Sequence, residues 1–217
     1  MNRTGIIRTA TLTGIAAALG LAVAAPATAA PLADPVTTVA DLDGDGEIET
    51  VNAQLVGDDQ VISATVNGTF TSIHVGADSY AGLTAPRVTD LNGDGRAELI
   101  VTQSVGANTT FFTALHFDGR NLSQVVGADD KPLSVSEGGG IAAHLGYHCT
   151  PAEGGRTFET VAAEVDDIAG PVDQMTYSGS RTVSTLRDGA LTTQSTLPFT
   201  GLKVTDPLLV TDPATCS

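Results

Sequence analysis

Asp41-Leu42-Asp43-Gly44-Asp45-Gly46-Glu47-Ile48-Glu49 and Asp90-Leu91-Asn92-Gly93-Asp94-Gly95-Arg96-Ala97-Glu98 are two copies of one short acidic loop. Oxygen-bearing side chains fall at loop positions 1, 3, 5 and 9, and glycine stands at position 6. That alternation lets a single tight turn aim several hard oxygen atoms at one centre. It suits calcium, which takes about six to eight oxygen ligands at ~2.3–2.6 Å. The glycine supplies a backbone conformation that a Cβ resists. Position 7 (Glu47 in the first loop, Arg96 in the second) is expected to add its backbone carbonyl, which leaves its side chain free to vary. One such loop is easily an acidic turn. Two, 49 residues apart and each opening the same kind of segment, point to two Ca²⁺ sites.

An EF-hand would place a bidentate Glu at position 12 and a helix on either side. Position 12 is Asn52 in one loop and Val101 in the other. The residues that follow, Glu49-Thr50-Val51-Asn52-Ala53-Gln54-Leu55-Val56 and Glu98-Leu99-Ile100-Val101-Thr102-Gln103-Ser104-Val105, have the β-branched composition of strands. An acidic loop that enters a strand, with its last acid at position 9, resembles the FG-GAP/VCBS repeat of integrin-type β-propellers and many secreted bacterial proteins. The resemblance implies ligand roles for Asp41, Asp43, Asp45 and Glu49, and for Asp90, Asn92, Asp94 and Glu98. Position 9 is usually Asp in that family and is Glu here twice, which implies looser or water-mediated coordination there.

The chain begins as a secretory leader does. Arg3 and Arg8 are followed by an apolar stretch from Leu12 to Ala25 and by an A-x-A site at Ala27-Thr28-Ala29. The stretch is shorter than the roughly 18–20 apolar residues of a spanning helix, so residues 1–29 read as a signal peptide and 30–217 as one secreted domain. Removing two arginines from a net charge of −15 leaves −17 on the remainder. Such a balance repels nucleic acid and anionic membrane surfaces, and no later segment is apolar enough for membrane insertion. Cys149 and Cys216 are the two cysteines. In an exported chain they are most economically a disulfide, the alternative being free thiols or a metal pair.

Three segments of alternating polarity each turn at a glycine: Val61–Ile73 around Asn67-Gly68, Phe111–Val125 around Asp118-Gly119, and Thr182–Ser195 around Asp188-Gly189. Asn-Gly and Asp-Gly between alternating residues are strong hairpin signals, because both turn positions need φ > 0. The chain therefore parses into units at about 35–80, 84–130 and 139–200. The second is expected to hold strands near 86–89, 97–103, 110–117 and 121–126. The third would have them near 141–147, 157–165, 176–186 and 190–196. The third unit has no acidic loop; Gly138-Gly139-Gly140 stands in its place, with the disulfide as a substitute staple. The expected fold is all-β, about three four-stranded antiparallel repeats forming a small or irregular β-propeller-like body. Propellers usually have about four to eight blades, so closure is left to an irregular barrel, a partial fourth blade or a second molecule.

Other motifs carry less. Leu197-Pro198-Phe199-Thr200-Gly201 matches a sortase signal but lacks the apolar run and basic tail such signals need, so it reads as a strand end. His144 and His148 are four apart, a metal pair only on a helix. They, His74 and His116 read as structural or surface residues. No G-x-S-x-G elbow occurs, and nothing nominates a nucleophile, base and oxyanion site together. The absence of Trp argues against a sugar-stacking face. The expectation is a non-catalytic, calcium-binding module for adhesion to, or binding of, an extracellular protein or cell-surface ligand. The alternatives are an exported hydrolase with structural calcium and a metal-free, disulfide-stabilised domain.

Overall fold

The computed structural model describes residues 34–78 and 81–217. The expected leader, residues 1–29, lies outside them. Thirteen strands and three short 3-10 turns make up the described chain, and no helix among these residues is long and apolar enough to cross a membrane. All-β is the architecture.

The first acidic loop joins β1 (Val36–Ala40) to β2 (Glu49–Val56), and β3 (Asp59–Val66) and β4 (Thr69–Gly76) complete a four-stranded meander. Along β2 burial alternates strictly: Glu49, Val51 and Ala53 face inward, Thr50, Asn52 and Gln54 outward. That is the signature of a sheet with one solvated face. The turn from β3 to β4 is the expected Asn67-Gly68, with φ of 49° and 75°.

The second acidic loop repeats the plan between β5 (Arg87–Thr89) and β6 (Glu98–Val105), followed by β7 (Thr109–Phe117) and β8 (Leu122–Gln124). β6 is buried at four successive positions, Glu98 to Val101, because both of its faces are covered. Leu99 and Val101, with Leu115 and Phe117 of β7, pack against Val51, Ile62, Val66 and Val75 of the first sheet. Ile100, Phe112 and Ala114 point the other way, into a second core. At the interface with the first sheet the buried Gln60 donates its side-chain amide to the Thr102 carbonyl.

β9 (Val135–Gly138), β10 (Ala143–Ala152), β11 (Gly155–Val165), β12 (Tyr177–Arg187) and β13 (Ala190–Leu202) continue this sheet to nine strands. The third group of strands is thus where the sequence places it, but it is not a separate unit. β9 pairs with the first half of β7 through Thr109–Phe112, while β8 pairs with the second half through Leu115–Phe117. The glycine run permits this fusion. A Cβ on Gly138 would sit 2.2 Å from the Asn108 carbonyl oxygen, and one on Gly139 would sit 2.4 Å from that of Ala143. Neither sheet closes on itself.

The nine-stranded sheet folds over the second core, where Tyr147, Cys149, Phe158, Leu186, Leu191 and Cys216 meet Ile100, Phe112 and Ala114. The outer face of β11–β13 carries a third cluster of Val161, Ala163, Tyr177, Phe199 and Leu209. Arg181 secures it, pairing with Glu159 at 2.5 Å and donating to the Val210 carbonyl at 2.9 Å. The Asp188-Gly189 turn has φ of 49° and 76°, as its sequence predicts. Asp118-Gly119 does not make a two-residue turn. Asp118 N donates to Asn121 O, and the Asp118 carboxylate accepts from the backbone of Arg120 and Asn121, which stabilises a four-residue loop.

Candidate metal centre

The two acidic loops share one hydrogen-bond plan. The position-1 carboxylate caps the turn: Asp41 accepts from Gly44 N at 2.7 Å and Gly46 N at 2.9 Å. Asp90 accepts from Gly93 N at 2.6 Å and Gly95 N at 3.3 Å. The position-5 carboxylate accepts from the position-7 amide at 2.8 Å in both, Asp45 from Glu47 and Asp94 from Arg96. The position-9 carboxylate reaches back to the position-2 amide, Glu49 to Leu42 N at 2.8 Å and Glu98 to Leu91 N at 2.7 Å. This last bond explains why Glu serves at position 9. One oxygen closes the loop, and the longer side chain leaves the other available. The glycines at position 6, Gly46 and Gly95, have φ of 87° and 84°, as the turn requires.

In the first loop Asp41, Asp43 and Glu49 each bring a carboxylate oxygen within 4.8 Å of the others. Asn67, from the β3–β4 turn, donates to Asp43 at 2.5 Å, a contact that loop spacing alone does not suggest. In the second loop the acids do not gather this way among the described residues. Position 3 is an amide there, and Asn92 donates to Asp94 at 3.0 Å.

The loops lie side by side. Ala97 N, at the end of the second, donates to the Asp41 carbonyl at 2.8 Å. The Arg96 side chain packs over the first loop, where a Cβ on Gly44 would lie 3.0 Å from its Cγ. The side chain at position 7 is therefore not free to vary in the second loop. The same relation recurs one unit on. The β10–β11 hairpin presses against Gly93, and Arg156 donates to the carbonyls of Asn92 (2.7 Å, backbone) and Asp90 (2.9 Å, side chain).

The disulfide also belongs to this neighbourhood. Cys149 and Cys216 are bonded, with Cα atoms 4.9 Å apart. The Cys149 sulfur lies 3.8 Å from the Leu91 carbonyl, and the Cys216 carbonyl accepts from Asp90 N at 2.6 Å. Instead of replacing a metal in the third unit, the bridge braces the second acidic loop. Position in the sequence could not show this, since more than a hundred residues separate Asp90 from Cys216.

The histidines stand apart from the loop carboxylates that cluster. His148 meets Thr215 Oγ1 at 3.1 Å, His144 stands edge-on to Tyr177, and exposed His74 lies 3.3 Å from Asp59. His116 is half-buried beside Gly189 and shares a cleft with Asp94 and Glu98. Burial lowers its pKa, against the pull of Asp118 and Asp188.

The donor set fits a hard cation. Every side chain in question offers oxygen, and among the described residues no Lys or Arg forms an ion pair with a carboxylate of either loop. Glu98 is 3% exposed. Burial, with the charges of Asp94 and Asp90, raises its pKa from 4.5 to about 8 despite the bond from Leu91 N. Glu49 is raised by the same causes, burial first, then Asp43, Asp41 and Asp45. A cation can replace the proton that Glu98 otherwise holds. A pH dependence follows. Without metal, the native state keeps a proton on Glu98 that the unfolded chain releases, so stability falls as pH rises from 4.5 to about 8. Added Ca²⁺ competes with that proton. The rise in melting temperature on adding calcium is therefore expected to be larger at pH 8 than at pH 5, as paired thermal melts would show.

Comparison with curated proteins and with solved structures returns no match. The family model of the FG-GAP-like repeat matches residues 41–101, from the first residue of the first acidic loop to Val101 of β6, so that this stretch, both loops included, is similar to that repeat.

Proposed function

We propose that each acidic loop holds one Ca²⁺ ion and that the chain is an exported, non-catalytic β-repeat module serving adhesion or ligand binding outside the cell. The observation that carries the calcium reading is the shared bond plan of the two loops, together with the convergence of Asp41, Asp43 and Glu49 oxygens. Asp45 and Asp94, the amide oxygen of Asn92, Glu98, and the backbone carbonyls of Glu47 and Arg96 would complete the two sets. The ions would neutralise clustered carboxylates and fix the loops that lead into β2 and β6. The leader-like residues 1–29 and the strong negative charge support export. The FG-GAP-like repeat matched at residues 41–101 supports a binding role by analogy of fold.

Extracellular calcium modules bind at about 10⁻⁴–10⁻³ M. At a hundredfold saturation each site would add ~2.7 kcal/mol of stability. Titration calorimetry of the oxidised protein with CaCl₂ is the test. Two ions per chain are expected, falling to one in Asp41→Ala or Asp90→Ala. Absence of binding up to several times the weak end of that range would contradict the proposal.

A further inference from the structure

The outermost strand of the larger sheet, β13, is open along its free edge. The sheet runs from β5 to β13. At one end β5 has three residues and lies beside β1 of the other sheet. At the other end β13 has thirteen, and from Thr192 to Pro198 every residue is exposed. The start of this edge already accepts a neighbour: Val126 bridges to Ala190 in parallel, and Leu191 N donates to its carbonyl at 2.8 Å. Beyond that point, among the described residues, the backbone from Thr193 to Leu197 bonds only to β12. An unpaired row of N–H and C=O groups is a template for another strand.

Charge selects the partner. The chain carries a net charge of −15, yet residues 189–202 contain no charged side chain. Two copies would repel over most of their surface and meet without charge here. The Thr and Ser side chains can pair with their own kind across a two-fold axis, because antiparallel pairing of identical strands is self-complementary. Two features limit the pairing. Gln194 is skipped in the register with β12, where Thr193 pairs with Ser184 and Ser195 with Val183, and Pro198 offers no N–H. With β5 set against β1, the only long edge left to this sheet among the described residues is β13, so growth stops at two.

We propose that β13 is a dimerisation edge through which two copies of this chain join their larger sheets antiparallel over Thr192–Leu197. Sedimentation velocity of the oxidised, calcium-saturated protein over a concentration series tests it. A reversible dimer is expected that tightens as salt rises, since salt screens the repulsion between two acidic bodies. A Thr193→Lys, Thr196→Lys variant would set like charges directly opposite one another across the axis, because pairing over Thr192–Leu197 places Thr193 of one copy against Thr196 of the other. It is expected to weaken the dimer on the order of tenfold with its melting temperature in the monomer range unchanged. A protein that stays monomeric up to about 1 mM would overturn the proposal. So would a dimer that the double-lysine variant leaves intact, which would place the interface elsewhere.

Discussion

Opening the Cys149–Cys216 bridge, by a dithiol reductant or by replacing both cysteines with Ser, is expected to lower stability by about 4 kcal/mol and to weaken calcium binding at the second loop selectively. The first part follows from chain entropy: the bond closes a loop with a sequence separation of 67, and such closure constrains the unfolded ensemble by about that amount. The second part follows from position. The C-terminal segment carries the Cys216 carbonyl that receives Asp90 N, and the Ser217 carbonyl that receives Arg156. Arg156 in turn holds the Asp90 carbonyl. Releasing Cys216 frees these anchors together, so the first ligand position of the second loop loses its support. The first loop is held by Ala97 N and Asn67 and has no such dependence. Calorimetric titration of the double-serine variant should show one site near its original affinity and one weakened. Equal weakening of both would assign the disulfide a merely global role.

Glu98→Gln is expected to change sign with calcium. The amide is isosteric and can still accept from Leu91 N, so the loop-closing bond survives. In chelator at pH 7 the substitution removes a buried carboxyl whose ionisation the native state resists, with a pKa of about 8 against 4.5. On that linkage it should raise stability by on the order of 3 kcal/mol. In saturating calcium the same change removes a carboxylate oxygen, so the variant should gain little stability from the metal and melt below the parent. Chemical denaturation of parent and variant, with and without Ca²⁺, provides the comparison. A variant less stable than the parent in chelator as well would show that the carboxyl itself, not its discharge, holds the loop.

The residue pattern revealed much of this architecture for local reasons. Asn67-Gly68 and Asp188-Gly189 dictate their turns through φ > 0, and the strands of the second and third groups lie within two residues of their expected bounds except β10 and β13, which run five and six residues further. The two acidic loops were legible because the bonds of their shared plan lie within the nine residues of each loop. What stayed hidden is non-local. The fusion of the second and third groups depends on Gly138 and Gly139 passing close to Asn108 and Ala143, which no periodicity encodes. The bracing of the second loop by Arg156 and Cys216 joins residues more than sixty positions apart. Arg96 was misleading in a different way. Position 7 is defined by its carbonyl, but its side chain is recruited by the neighbouring loop once the two sheets pack. The Asp118-Gly119 dipeptide signals a tight turn, yet the Asp118 side chain, by bonding Arg120 and Asn121, favours a longer one.

The central claim, that two loop-bound calcium ions hold this fold, is tested most directly by a thermal melt of the oxidised protein across a calcium titration and again in chelator. The account predicts a melting temperature that climbs by several degrees and saturates at millimolar calcium. It also predicts that the climb disappears in an Asp41→Ala, Asp90→Ala double variant. A melting temperature that stays flat through several times that concentration, in parent and variant alike, would contradict it and leave the disulfide as the fold's remaining staple.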